Sequence, residues 1–144
     1  MKKWLAFAAA ATMGALALSG CGGSSSSSDV TLEEMTGAWV LESGKGAAGE
    51  LKPVDGVPVE LNVEQDGTFS ANAGCNNLFG SLTVENGKLD IGPVASTMMA
   101  CDDRLMKIER AYTQALDRVR AGSSSAGMMT LWGDGTVLRY GRAK

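Results

Sequence analysis

Short segments of alternating apolar and polar residues dominate the chain after residue 29. Val59, Leu61 and Val63 alternate with polar neighbours, which is typical of a strand with one buried face and one solvated face. Glycine-containing turns separate such segments and predict three hairpins, at Asp66-Gly67, Asn86-Gly87 and Gly133-Asp134-Gly135. The predicted strands are 38–41, 59–63, 68–72, 79–84, 88–91, 94–98, 129–132 and 136–140.

One amphipathic helix is predicted between Asp102 and Arg120. Apolar residues recur there on one face at helical spacing: Leu105, Ile108, Tyr112, Ala115 or Leu116, and Val119. An aspartate at 102 or 103 can cap the N-terminus of this helix, and Gly122 suits its end. We therefore expect the serines at 123–125 to continue as a loop.

Two further segments complete the predicted elements. Thr31 and Glu34 have capping-box spacing and predict a single helical turn ending near Thr36. Residues 42–56 carry four glycines and Pro53, which predicts a long surface loop.

The resulting fold class is mostly β (α+β). A sheet of about eight antiparallel strands tends to curl or close so as to remove its edges. We therefore predict a small antiparallel β-barrel or curved sheet with one α-helix packed on it. Its predicted core consists of Trp39, Leu41, Leu61, Phe69, Leu89, Leu105, Ile108, Leu116, Leu131 and Leu138.

The first 20 residues have the pattern of a lipoprotein signal peptide. Lys2 and Lys3 precede an apolar stretch that is shorter than the roughly 18 residues a spanning helix needs. The sequence Leu18-Ser19-Gly20-Cys21 resembles a bacterial lipobox, which implies cleavage before Cys21 and lipidation of that cysteine. An ordinary signal peptide that happens to end before a cysteine is the alternative.

Residues 21–29 are predicted to be the lipidated cysteine and a flexible glycine and serine tether, and residues 30–144 the folded domain. Gly22 is not the aspartate that favours retention in the inner membrane, so we expect an exported protein on the periplasmic face of the outer membrane. Loss of Lys2 and Lys3 with the signal moves the formal charge from −3 to −5. We therefore expect the lipid anchor, and not surface charge, to hold the protein to the membrane, which is its predicted partner.

Composition argues against catalysis and against nucleic acid as a partner. The chain has no histidine, which excludes the histidine-dependent nucleophile pairs and the commonest zinc and haem ligands. Its charges are scattered and net negative, whereas phosphate binding needs a basic patch. Helix capping explains the acid pair Asp102 and Asp103. We predict no catalytic residues, no enzyme activity and no cofactor.

Cys75 and Cys101 remain once Cys21 is assigned to lipid. In an oxidising compartment an isolated pair predicts a disulfide. Alternatively, Met98, Met99 and Cys101 group soft sulfur ligands that suit Cu(I). That hypothesis requires reduced thiols.

Several segments together resemble the META domain, the HslJ-like family, from about Thr36 to Tyr140. They are Trp39-Val40-Leu41, Gly67-Thr68-Phe69, the motif residues Gly74, Cys75, Asn76, Gly80, Thr97, Met98 and Cys101, then Glu109, Leu131 and Gly135 to Leu138. The resemblance implies a compatible fold, an envelope or secretory setting and an association with stress responses, without an agreed enzymatic activity. Gly74, Asn76 and Gly80 also have a structural explanation, as residues that permit a close approach or a turn.

We therefore expect a lipid-anchored, non-enzymatic envelope protein with a binding or accessory role in envelope stress, possessing an envelope protein partner. One alternative is an inhibitor of a secreted hydrolase that inserts a mobile loop, either Gly44–Gly56 or Gly122–Gly127. A carrier of a small apolar ligand and a Cu(I)-handling protein are the others.

Overall fold

The computed structural model describes residues 30–144, which form two helices and ten strands. The predicted signal peptide, Cys21 and the tether lie outside the described residues. In chain order the elements are α1 (Leu32–Met35), β1 (Gly37–Gly46), β2 (Gly49–Leu51), β3 (Glu60–Val63), β4 (Thr68–Asn72), β5 (Asn77–Glu85), β6 (Lys88–Ile91), β7 (Ala95–Ser96), α2 (Asp103–Asp117), β8 (Ala121–Ser125), β9 (Met128–Gly133) and β10 (Thr136–Arg142).

Eight of the strands form one antiparallel path, in the order β6-β5-β4-β3-β1-β10-β9-β8. Strand β2 pairs with β1, and β7 pairs with β5. The two ends of the path approach each other, because the Leu89 amide in β6 donates to the Arg120 carbonyl just before β8 at 2.9 Å. The sheet is thus a nearly closed barrel with α2 packed against it, which confirms the predicted fold class.

A bulge bends β1 so that it serves two parts of the sheet. Leu41 lies opposite Tyr140 and Ser43 opposite Arg139, so Glu42 is an extra residue without a partner in β10. Before the bulge β1 pairs with β3, and after it β1 pairs with β2. The hairpin of β1 and β2 therefore extends to the side on which α2 packs.

The core fills the barrel and the interface with α2. Nine of the ten predicted core residues are buried, and Leu105 is the exception. Leu105 lies in the first turn of α2, and its side chain packs over Gly74 in the connection between β4 and β5, where it stays half-buried. Among residues 30–144 neither helix has the length and apolar character needed to cross a bilayer.

The predicted loop at 42–56 is wrong for 42–46 and 49–51 and holds for 47–48 and 52–56, and the predicted loop at 123–125 is wrong throughout. Residues 42–46 continue β1, Gly49–Leu51 form β2, and the serines belong to β8. These segments carry no strong β pattern, and their backbone groups are paired only because β10, β1 and β9 lie beside them. The helix ends at Asp117 with Arg118 as its C-cap, and the predicted strand 94–98 shrinks to Ala95–Ser96. The capping box of Thr31 and Glu34 is present.

The two tyrosines of the chain meet in the core between α2 and β10. Their hydroxyl oxygens are 2.9 Å apart and both side chains are fully buried. Burial raises the pKa of Tyr112 and of Tyr140 above the ordinary value of 10. The folded protein therefore keeps both phenols neutral in alkali that ionises an exposed tyrosine.

The buried tyrosines predict alkaline unfolding. Below pH 10 both states hold the phenolic protons, and above it the unfolded chain loses them while the folded chain does not. Stability should then fall with rising pH, by up to about 1.4 kcal/mol per pH unit for each tyrosine. Phenolate absorbance and circular dichroism should change together in a pH titration. Phenolate absorbance rising near pH 10 with native circular dichroism would contradict the buried pair.

Candidate functional site

The motif residues converge at one end of the barrel, around the connection between β4 and β5. Gly74, Cys75 and Asn76 lie within this connection, and the segment 97–101 that follows β7 runs beside it. Glu109 approaches from α2. Gly80 lies in β5, four residues after Asn76 and opposite Phe69 of β4. The structure therefore brings together three parts of the chain that are well separated in sequence.

Asn76 is the centre of a buried hydrogen-bond network. Its side-chain nitrogen donates to Glu109 Oε1 at 2.9 Å and to the Met99 carbonyl at 3.2 Å. Its side-chain oxygen accepts from Thr97 Oγ1 at 2.9 Å and from the Met99 amide at 2.6 Å. These four bonds use the full capacity of the side-chain amide. Asn76 thus holds the segment 97–101 and α2 to the β4–β5 connection.

Glu109 is a buried carboxylate whose hydrogen bonds within residues 30–144 both come from Asn76. One of its oxygens accepts from the Asn76 side chain, and the other accepts from the Asn76 backbone amide at 2.7 Å. The ion pairs found within residues 30–144 are Lys52–Glu50, Arg104–Asp102 and Arg120–Asp134, and none includes Glu109. With 7% of its surface exposed, Glu109 is positioned to anchor α2 and not to meet a substrate.

A disulfide joins Cys75 to Cys101 beside this network, with the two Cα atoms 6.0 Å apart. It links the β4–β5 connection to the residue just before the N-cap Asp102 of α2. Gly74 has φ +107°, and a Cβ there would lie 3.0 Å from the Leu105 side chain. A Cβ at Gly80 would lie 2.6 Å from the Phe69 ring, so both glycines permit a close approach. The disulfide and the Asn76 hydrogen bonds therefore both hold the β4–β5 connection to the segment 97–101, and we call this contact the junction.

Met98 and Met99 lie on the outside of the junction. Met98 is 97% exposed and Met99 is 58% exposed, while the Met99 backbone is fixed by Asn76. Cys101 is bonded to Cys75 and supplies no thiolate in this form. Within the described part of the chain no group of three or more His, Cys, Asp or Glu residues could hold a metal ion. The geometry therefore does not assemble the copper ligand set in the oxidised protein.

The two segments considered for hydrolase inhibition are mostly β structure. Gly44 and Gly46 pair with β2 inside the sheet, and Gly122 to Ser125 pair with β9. The corresponding expectation of mobile, insertable loops is wrong for 44–46, 49–51 and 122–125, because backbone ladder bonds hold these residues, whereas residues 52–56 form a connection outside the strands. The turns at 47–48 and 126–127 and the residues 52–56 lie outside the strands in these segments, and Val54 forms an isolated bridge with Val57.

A cleft of about 450 Å³ opens between the β1–β2 hairpin with the residues that follow it and α2. It is lined by Ala48, Glu50, Lys52, Val54, Arg104, Lys107, Ile108, Arg110, Ala111 and Gln114. The helix contributes one stripe of residues, adjacent to the stripe that faces the core. This size falls within the roughly 300 to 1,000 Å³ of small-ligand sites.

Sequence reasoning missed the partner of Glu109 and the cleft. Glu109 falls among Ile108, Tyr112 and Leu116 on the buried stripe of α2, and a charged residue there signals a hidden hydrogen-bond partner. The cleft has no such signal, because it forms between a hairpin whose sequence predicts a loop and a helix about 50 residues further along the chain.

A family model described as the META domain matches residues 30–144. An NMR structure of a protein from Burkholderia xenovorans is similar to the chain, with 30% sequence identity and a TM-score of 0.63 over 78% of this chain and 86% of that one. A crystal structure of a DUF4847 family protein from Bacteroides vulgatus shares the fold, at 13% identity and a TM-score of 0.54 over 76% of this chain and 94% of that one. No curated protein matches the chain in sequence. Since the family model covers most of its length, the chain belongs to the META domain family.

Proposed function

We propose that this META domain is a lipid-anchored protein of the cell envelope, on the periplasmic face of the outer membrane, and that it acts by binding and not by catalysis. The anchor is inferred from Leu18-Ser19-Gly20-Cys21 and the glycine and serine tether that follows. A domain on such a tether can reach partners near the membrane surface. An accessory role in the envelope stress response accords with this placement.

One observation argues against a catalytic role for the motif and so favours binding over catalysis. The Asn76 network, which includes the motif residues Asn76 and Thr97, uses its polar groups on internal hydrogen bonds. A catalytic site needs at least one nucleophile, acid or base that can reach a reacting atom. Asn76 and Glu109 are instead 2% and 7% exposed and engaged with each other. The motif is accordingly a scaffold that fixes the surfaces around it.

The anchor is tested by the intact mass of the mature protein purified from membranes. We expect a chain beginning at Cys21 that carries two or three acyl chains, the number that gives stable anchoring. Cys21→Ser should remove the added mass and release the protein into the aqueous phase of a detergent partition. An unmodified parent chain in the soluble fraction would contradict the proposal.

Sorting between membranes is tested by a matched variant. Gly22→Asp changes the residue after the lipidated cysteine and leaves the described domain untouched. In a diderm host the parent should fractionate with the outer membrane, and Gly22→Asp should shift most of the protein to the inner membrane. The parent protein in the inner membrane would overturn the outer-membrane assignment while leaving lipidation standing.

A further inference from the structure

The cleft beside α2 concentrates positive charge on a negative protein. Lys52, Arg104, Lys107 and Arg110 line it together with a single acid, Glu50. After removal of the signal the chain has a formal charge of −5, so this surface runs against the overall balance. Clefts lined by one sign of charge attract ligands of the opposite sign.

Two of these four bases have no acidic partner among residues 30–144. Glu50 is 3.0 Å from Lys52, and Asp102 is 3.9 Å from Arg104. Within residues 30–144, Lys107 and Arg110 form no ion pair within 4.0 Å. An anion placed in the cleft would supply the missing partner for both.

Helix stability explains only one of these bases, Lys107, which lies four positions after Asp103. Arg104, Lys107 and Arg110 follow one another at i,i+3 spacing, where like charges repel. Arg104 also lies in the first turn of α2, where the helix dipole disfavours cations, and the last turn carries no base. The arrangement is therefore better suited to an anionic ligand than to the stability of the isolated helix.

The floor of the cleft is apolar. Val54, Ile108 and Ala111 form it, and the small side chain of Ala48, in the exposed turn at 47–48, leaves room at the edge of the cleft. Val54 and Ala111 pack against the core, so this floor is backed by the folded domain. An apolar floor with a basic rim is complementary to an alkyl chain that ends in an anionic head group.

We propose that the cleft binds one molecule of a single-chain amphiphile whose head is a carboxylate or phosphate. The alkyl chain lies on Val54, Ile108 and Ala111, and Lys107 and Arg110 pair with the head. This deepens the proposed function by naming the class of ligand, and it rests on the binding role but not on lipidation. The concave shape favours a single molecule over the flat surface of a bilayer.

The test uses the mature chain from residue 21 with Cys21→Ser. This chain carries no lipid, so it can be purified and titrated without detergent. Dodecanoate and dodecyl phosphate are titrated by calorimetry below their micelle-forming concentrations. We expect saturable one-to-one binding of at least one of them, weakened at least about tenfold by Lys107→Glu with Arg110→Glu. Lys88→Glu with Lys144→Glu makes the same charge change at exposed positions outside the cleft, and it should leave binding within about twofold.

Two further probes separate head, chain and membrane. Dodecyltrimethylammonium has the same chain with a cationic head and should not bind. Ala48→Phe fills the cleft from an exposed turn and should abolish dodecanoate binding without unfolding the domain. The proposal would be overturned if neither anionic probe bound, or if the cationic probe bound equally well. It would also be overturned if the Lys107→Glu and Arg110→Glu variant bound like the parent, or if the protein only sedimented with phosphatidylglycerol vesicles. Because Cys21 is already replaced, none of these outcomes bears on lipidation, which the mass measurement decides separately.

Discussion

Replacing Asn76 with aspartate is expected to lower the free energy of unfolding at pH 7 by about 4 kcal/mol, although the two side chains have nearly the same shape. The amide nitrogen of Asn76 lies 2.9 Å from Glu109 Oε1 and 3.2 Å from the Met99 carbonyl. A carboxylate oxygen in that place would face two acceptors, one of them charged. The introduced carboxyl can take up a proton instead, which limits the cost to about 1.4 kcal/mol for each pH unit between 3.9 and 7.

This limit gives the pH dependence its sign. The folded state of Asn76→Asp favours the protonated carboxyl, so the deficit is present above the ordinary pKa of aspartate and disappears as the pH falls toward 4. Urea unfolding of parent and variant between pH 4 and pH 7 measures it. Asn72→Asp is the matched control, because the Asn72 oxygen still accepts from the Gly74 amide and only a bond to Asn77 is lost. The control should stay within about 1.5 kcal/mol of the parent. A loss below that value for Asn76→Asp would contradict the structural role of the network.

Hairpins with a strong local turn signal were predictable from sequence almost to the residue. Around Asn86-Gly87 the predicted strands 79–84 and 88–91 correspond to Asn77–Glu85 and Lys88–Ile91. The residues at φ +51° and +74° are Asn86 and Gly87, the types that tolerate this backbone best. The turn is encoded within a few residues, so neighbouring strands add little to the prediction.

Strand β8 shows why other elements were missed. Its sequence, Ala-Gly-Ser-Ser-Ser, has neither apolar alternation nor β-branched residues. It is a strand because β9 lies beside it and because Gly122 lets the two strands pack closely. A Cβ at Gly122 would come within 2.8 Å of the Leu131 side chain. Such close approach is a property of the assembled sheet, and no local pattern reports it.

The residues of the candidate site could be predicted from sequence, but the hydrogen bonds between them could not. The cysteine pair and the motif around Asn76 could be picked out, since their residue types are informative. The bond between Asn76 and Glu109 joins residues 33 positions apart on a strand connection and a helix. Its geometry depends on how α2 crosses the barrel, which periodicity within α2 cannot specify. The cleft depends on the same crossing.

Removing the disulfide by Cys75→Ala with Cys101→Ala is expected to lower the free energy of unfolding by about 3.5 kcal/mol. The bridge closes a loop across 26 positions, and the chain-entropy model gives this value for the added freedom of the unfolded chain. A domain of this size has about 5 to 15 kcal/mol in total, so the variant should still fold at 25 °C. Its melting temperature should fall by about 10 to 20 °C.

The loss of stability arises in the unfolded state. The circular dichroism of the folded protein should therefore stay the same while the denaturant dependence of unfolding changes. The native circular dichroism of the variant should match the parent, since the Asn76 bonds still hold the segment 97–101. The denaturant dependence of the unfolding free energy should rise, because the uncrosslinked chain exposes more surface when it unfolds. Reduction of the parent should reproduce both changes, and the non-reduced parent should show no alkylated thiol at Cys75 or Cys101. Free thiols in the native protein, or a melting temperature unchanged by reduction, would remove the disulfide from the account and return Cys101 to the copper hypothesis.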